Sequence, residues 1–340
     1  MTWLVTFDCN VHCKFCSTHQ LKKEFPEKIS RERALELAHQ IGRSGTWVCG
    51  FTGGEVLIWP HLFEVIKILK SYGVHVYIVS NGLTLEENVD AILETGVDYV
   101  VVSLEASNAQ EHNFIRKSLI REKRDVFEAA IEGIEALKSK RKGDSPKIKS
   151  STVFSPESLP RIQKTLKELE ELVDVSSFQP ITSHPPFSPH QPDEKYLEVF
   201  TWQERQKKEA ESAIQDIIKN FPQFNTSYFN KIPDFWFEPE KLKCQIRCWS
   251  PSLRLLIHPD GQAFQCTENP RFAAVGNVIE QDILEVWNSE EMKKQREEIR
   301  QHKNGCICWT QSTAFNAFME DLPLSKKLPI LNKKEVQRVE

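Results

Sequence analysis

The chain has 340 residues with 44 Lys and Arg against 48 Asp and Glu, a formal net charge of -4, so neither nucleic acid nor an anionic membrane is expected as a partner. No run of about 18 apolar residues and no amino-terminal apolar region is present, which argues against a membrane span and a secretory leader, and the chain is read as cytoplasmic. Its nine cysteines, odd in number, suit metal or cluster ligation in a reducing compartment better than a disulfide framework.

The first strand candidate is Trp3–Phe7. Directly after it come Cys9, Cys13 and Cys16, spaced C-x3-C-x2-C. Three thiolates on one tight loop can hold three irons of a [4Fe–4S] cluster and leave the fourth iron open to another ligand. Zinc stays as the alternative; it closes with four ligands, and His12 is the nearby candidate for the fourth. Further strand candidates are Trp47–Phe51, Val74–Val79, Tyr99–Ser103, Ile148–Phe154 and Val175–Pro180, all rich in Val, Ile and Phe. Helical stretches fall between them. In Arg124–Lys140, for example, Phe127, Ala130, Ile131, Ile134 and Leu137 repeat on one face. Repeated β–α units read as an α/β parallel sheet with right-handed crossovers, and as a full or partial TIM-like barrel whose site lies at the carboxyl ends of the strands. Polar groups follow the strands accordingly: the cysteine loop, then Gly53-Gly54-Glu55, then Ser80-Asn81-Gly82, then Ser103-Leu104-Glu105.

Residues 183–240 change character, with the run His184–His190, Trp202, Tyr228 and Trp236 around a charged helix near Glu204–Asn220. They read as a linker that also covers the active site, its aromatic residues serving as packing anchors or as a substrate wall. Next, Leu253–Ile257 and Ala263–Gln265, joined by His258-Pro259-Asp260-Gly261, read as a β-hairpin. The hairpin would bring Cys248 and Cys266 together at its open end. Cys306 and Cys308, after a helix around Ile283–Arg300, can complete a four-cysteine site for a [4Fe–4S] cluster, or for structural zinc. Cys244 is spare, Cys49 reads as a core residue, and the last stretch as a polar tail.

The loop Cys9-Asn10-Val11-His12-Cys13-Lys14-Phe15-Cys16 resembles the signature of the radical S-adenosylmethionine (SAM) family, with Phe15 in the place of the aromatic residue that commonly precedes the last cysteine. The resemblance implies a partial (β/α)6 TIM-like barrel. It also implies SAM chelated at the open iron of a [4Fe–4S] cluster and cleaved reductively to a 5′-deoxyadenosyl radical that takes hydrogen from a substrate. Gly53, Gly54 and Glu55 resemble the family's GGE motif, whose acidic residue accepts from the SAM ammonium. Ser103 and Glu105 stand where relatives reach the ribose, although Asp is commoner than Glu there. Ser80 and Asn81 either touch SAM or cap the next helix. Arg116 matches an arginine near SAM or else forms a surface ion pair, and His112 reads as structural. Cys248, Gly261 and Cys266, followed by Gly276-Asn277-Val278, resemble the entry to the SPASM/twitch modules, which implies a small α+β cysteine-rich module with an auxiliary [4Fe–4S] cluster.

The expected division is a barrel core over 1–182, a linker and cover over 183–240, the module over 241–315 and a tail over 316–340. The expected partners are an electron donor such as flavodoxin or ferredoxin and a peptide or small-molecule substrate. Only eight residues precede Cys9, which leaves no room for an amino-terminal peptide-recognition domain and lowers the peptide reading. An iron–sulfur binding or redox-sensing protein without radical chemistry is the alternative function.

Overall fold

The computed structural model describes residues 1–25, 28–120, 124–182, 199–242, 248–266, 273–301 and 309. Of the sequence expectations, Cys244, Cys306, Cys308, the run His184–His190 and the 316–340 tail lie outside these residues.

Six parallel strands form the barrel wall: β1 (Thr2–Leu4), β3 (Val48–Thr52), β4 (His75–Ser80), β5 (Tyr99–Ser103), β7 (Lys147–Phe154) and β8 (Phe178–Pro180). They correspond one for one to the six expected strands. The range of β5 is the expected one, β3 and β4 are shifted by one residue, β7 begins one residue earlier, and β1 and β8 are shorter; β1 stops at Leu4, ahead of the segment that leads to the cysteine loop. Strands β4, β5 and β7 alternate between covered and partly covered residues, while β1 and the middle of β3 are buried throughout. In β7, Ile148, Ser150, Thr152 and Phe154 are buried under helices while Lys147, Lys149, Ser151 and Val153 are only partly covered on the inner face.

Helices α2 (Arg31–Arg43), α3 (Leu62–Ser71), α4 (Val89–Thr95), α6 (Val126–Lys140) and α7 (Ile162–Leu172) cover the outer face. Helix α6 follows the expected stripe and starts where Asp125 accepts a hydrogen bond from the Glu128 N–H at 3.0 Å. Its Ile134 and Leu137 join Ile66, Leu69, Ile92 and Val100 in one continuous core. Each such fully buried aliphatic side chain contributes roughly 1.5–3 kcal/mol.

The 199–242 segment is more than a connection. Ile214, Ile217, Phe221, Phe224, Tyr228 and Ile232 form a second core with Phe154, Leu166 and Phe178 of the barrel. Trp202 and Trp236 stack at 4.2 Å between centroids, and Trp236 donates to the Ile181 carbonyl. Both are packing anchors in this arrangement.

The hairpin of the cysteine-rich module, β9 (Leu256–Ile257) and β10 (Gln262–Phe264), is joined by β11 (Gly276–Asn277), and β9 pairs in parallel with β1, Thr2 opposite Leu256. The module therefore extends the barrel sheet, giving the order β11-β10-β9-β1-β3-β4-β5-β7-β8. The helix expected over Ile283–Arg300 is two, Ile283–Trp287 and Glu290–Arg300, because Ser289 breaks the run and caps the second through the Met292 N–H.

Candidate active site

The cysteine loop is held by strand pairing across the chain. Short strands β2 (Val11–Cys13) and β6 (Arg116–Ser118) are antiparallel, Cys13 opposite Arg116, with Lys14 N–H to Ile115 O and Leu119 N–H to Asn10 O at either end. The pairing puts Arg116 Nη1 3.2 Å from Cys13 Sγ. His12 lies on the exposed face of β2, opposite to Cys13, and stacks with His19. It lies on the face away from Cys13, so this histidine does not stand beside that thiol as a fourth zinc ligand would.

Two buried carboxylates stand behind the loop, arranged alike. Glu55 is fully buried; Oε1 accepts from the Leu57 N–H at 3.0 Å and Ser80 Oγ at 2.8 Å, and Oε2 accepts from the Asn81 N–H at 2.7 Å. Glu105 is 3% exposed; Oε1 accepts from Arg116 Nε at 3.0 Å and Nη2 at 2.6 Å, and Oε2 accepts from the Val153 N–H at 2.9 Å. An ionised carboxylate has about four acceptor sites, so each retains one. Burial raises the Glu55 carboxyl above its ordinary range, and a cationic donor at its free site would reverse that cost.

From Glu55 the network reaches the thiols through Asn81, whose Nδ2 donates to Asn10 Oδ1 at 2.8 Å and approaches Cys9 Sγ at 3.7 Å. Asn81 Oδ1 also accepts from the Leu83 N–H, so this residue serves both its own turn and the loop. From Glu105 it reaches them through Arg116, whose guanidinium also lies 5.3 Å from the Phe15 ring. Arg116 is thus ion-paired as one of the sequence alternatives had it, but in the interior, with both partners under 10% exposed. His112 is structural: its Nδ1 accepts the Glu105 N–H at 3.2 Å, and burial holds the ring neutral, its pKa down at about 3.

The glycines of Gly53-Gly54-Glu55 serve chain-to-chain approach. Gly53 has φ +142°, and a Cβ on Gly54 would stand 2.0 Å from the Asp8 carbonyl oxygen. That closeness lets Gly54 N–H bond Thr6 O at 2.7 Å and Glu55 N–H bond Asp8 O at 2.8 Å, locking the chain just ahead of Cys9. Ser103 ends β5 on the same rim, and no hydrogen bond ties it to the others among the described residues.

Three contacts at this site were not read from the sequence. Thr18 Oγ1 meets Cys16 Sγ at 2.7 Å, Asn10 carries the link from Asn81, and Phe200 packs edge-on against Phe15 at 5.7 Å, bringing the 199–242 segment over the loop. Only the Phe200 contact had a signal, the aromatic content of that segment.

The donor set suits an iron–sulfur cluster. Cys9, Cys13 and Cys16 are all free thiols, and burial pushes Cys9 up to about 11 and Cys13 higher still. Such thiols ionise on binding iron, with Arg116 beside Cys13 to balance charge. In the module, Ser250 donates to the Gln265 carbonyl at 3.2 Å, so the segments that follow Cys248 and precede Cys266 lie against each other.

An open parallel barrel with a three-cysteine loop at the carboxyl ends of its strands defines a cluster-dependent enzyme. Residues 3–169 match the model of the Radical SAM superfamily and residues 248–310 match SPASM, an iron–sulfur cluster-binding domain; the chain belongs to the radical SAM superfamily and carries a SPASM domain. Among curated relatives, the AdoMet-dependent heme synthase of Methanosarcina barkeri is 24% identical, the match covering 91% of this chain and 87% of the relative. The GTP 3',8-cyclase of Chlorobaculum tepidum is 27% identical over 53% of each chain. The pre-heme d1 synthase of Dinoroseobacter shibae is 28% identical over 40% of this chain and 32% of the relative. The matches thus span about half of the cyclase and a third of the last relative. Of solved structures, anSMEcpe with bound AdoMet aligns with a TM-score of 0.61 at 15% identity, covering 86% of this chain and 82% of the other. SuiB of Streptococcus suis aligns at 0.60 and 13%, covering 85% and 65%. These two likenesses are of fold.

The protein is a radical SAM enzyme whose cofactors are SAM, a [4Fe–4S] cluster and an auxiliary iron–sulfur cluster in the SPASM domain. It therefore needs a reductant and a substrate, and no helix among the described residues is long and apolar enough to cross a membrane.

Proposed function

We propose that Cys9, Cys13 and Cys16 ligate the [4Fe–4S] cluster and that Glu55, Ser80, Asn81, Ser103, Glu105, Arg116, Phe15, Gly53 and Gly54 build the SAM site beside it. When bound, the cluster and SAM supply reductive cleavage to a 5′-deoxyadenosyl radical. The chain's own residues position the cofactor and keep out water. The observation that carries this reading is the convergence of two buried carboxylate networks, through Asn81 and through Arg116, on the thiols of one loop. Glu55, with one free acceptor site and a cost of burial to relieve, suits the SAM ammonium, and the corresponding free site of Glu105 suits a ribose hydroxyl. Arg116 is held by Glu105 and Cys13, so it balances charge at the loop rather than offering a free fork to a carboxylate.

Cys248, Cys266, Cys306 and Cys308 are the proposed auxiliary ligands; all four fall within the SPASM match, and Cys244 precedes it. The proposed division remains a core over 1–182, a cover over 183–240, the module over 241–315 and a tail over 316–340. A small metabolite is the proposed substrate, supported by the small-molecule reactions in the names of the curated relatives. The likeness to anSMEcpe and SuiB, each also solved with a bound peptide, is of fold alone. A flavodoxin or ferredoxin as donor and a cytoplasmic setting suit the free thiols.

The test is anaerobic reconstitution with iron and sulfide, addition of SAM and dithionite, and measurement of 5′-deoxyadenosine against a Cys9→Ala/Cys13→Ala/Cys16→Ala control. Product from the wild type that vanishes in the control is expected. No product from a protein that carries its loop cluster, with a range of small metabolites added, would favour a redox-sensing role instead.

A further inference from the structure

A cavity of about 560 Å³ runs down the inside of the open barrel, from Phe15 beside the cysteine loop to Thr2, His75 and Asp98 at the opposite end. Its size is that of a small-ligand pocket. Its walls are mainly apolar side chains of the strands, Val79, Val101 and Val153 among them. Tyr77 lies across Gly50, where a Cβ would stand 2.0 Å from the ring, so the missing side chain makes the room. Into this lumen β7 directs Lys149, with Ser151 and Val153 above it toward the loop.

Lys149 is a cation on a mainly apolar wall. The acid nearest in the lining, Asp98, is already engaged by Lys70 at 2.5 Å and by the Val76 N–H at 2.7 Å. The other strong cation, Arg254, donates to Thr2 Oγ1 at 2.9 Å. Among the described residues no hydrogen bond or ion pair engages the Lys149 ammonium, and burial alone pushes it below the usual lysine range. The ammonium of this half-buried lysine is partly removed from water, and a carboxylate brought to it would be held by a charge-assisted hydrogen bond.

We infer that the barrel lumen is the substrate pocket for a molecule with an apolar body and a carboxylate, and that Lys149 is its counter-ion. The proposal rests on the radical SAM reading for its chemistry, since the pocket ends at the cysteine loop, where the apolar body faces the site of hydrogen removal. The carboxylate end sits toward Lys149, below Ser151.

The test uses the full chain, reconstituted anaerobically, and two matched probes, 2-naphthoate and its neutral amide 2-naphthamide, with binding followed by naphthalene fluorescence and calorimetry. Naphthoate is expected to bind one per chain and roughly tenfold more tightly than the amide, the worth of one charge-assisted contact. Lys149→Met, which keeps the shape and removes the charge, should erase that preference, and Lys149→Arg should keep it. Equal affinity for both probes in the wild type, no binding of naphthoate at millimolar concentration, or a preference that survives in Lys149→Met overturns the proposal. The yield of 5′-deoxyadenosine from the wild type without probe reports separately on the radical reading, so the two fail independently.

Discussion

The Arg116–Glu105 pair shows how much of the site depends on single buried charges. Both side chains are almost fully enclosed, and each satisfies the other. Arg116→Met would leave Glu105 unpaired in the interior and should cost about 3–5 kcal/mol, read as a fall in the urea midpoint of the reconstituted protein. Adding Glu105→Gln to that variant should recover part of the loss, because the stranded charge is gone; a double variant no more stable than Arg116→Met would contradict the assignment. His112 supplies a pH dependence at the same scale. Its folded pKa of about 3 lies below the ordinary 6.5, so the folded state holds the neutral ring. The stability it contributes is complete above about pH 6.5 and falls as pH drops toward 3, by about 1.4 kcal/mol per unit for one proton. Denaturation between pH 7 and 5.5 should therefore be less steeply pH-dependent in His112→Gln, which keeps an acceptor for the Glu105 N–H. Identical slopes would show that His112 is not the group. Of these residues Glu105 stood out in the sequence by its place at the end of the fourth strand and Arg116 by the family resemblance, and His112 was read as structural, but their mutual pairing was not legible. A buried ion pair and a surface one leave the same letters in the chain, and only enclosure by β2, β6 and β7 separates them.

Among the elements, the GGE turn and the Cys9 segment form one unit. A methyl group on Gly54 would meet the Asp8 carbonyl, part of the backbone and unable to turn aside. Gly54→Ala should therefore push Thr6–Asp8 outward and lower the iron bound at the loop by several-fold, measured as iron per chain after reconstitution, while far-ultraviolet circular dichroism stays unchanged. Full iron content in that variant would show that the segment shifts without cost. The six wall strands were legible because short runs rich in Val, Ile and Phe alternate with amphipathic helical stretches. The β2–β6 pairing was not legible. Val-His-Cys and Arg-Lys-Ser carry no common pattern, and their partnership spans more than a hundred residues, from Cys13 to Arg116. Likewise the continuation of the sheet into the module rests on two residue pairs between β1 and β9, Thr2 with Leu256 and Trp3 with Ile257, which no local signal announces.

For the whole molecule, that shared sheet decides how barrel and module unfold. Besides the β1–β9 ladder, Arg33 on α2 donates to Val278 O at 2.6 Å and Gln281 O at 2.7 Å, Arg254 reaches Thr2, and Phe7 packs edge-on against His258 at 5.7 Å. Val275, Val278 and Val286 of the module lie in the same core cluster as Trp3, Ile41 and Phe51 of the barrel. An interface made of sheet hydrogen bonds and common core does not open independently of the parts it joins. Urea unfolding of the reconstituted protein should therefore show one transition, with tryptophan fluorescence and the visible absorption of both clusters changing together. Arg33→Ala removes two donors to module carbonyls and should lower the unfolding free energy by about 1–3 kcal/mol, and the midpoint with it, while keeping a single transition. Two separated transitions in the wild type would mean that the module is an independent domain docked on the barrel edge, and in that case Arg33→Ala would shift only the earlier one.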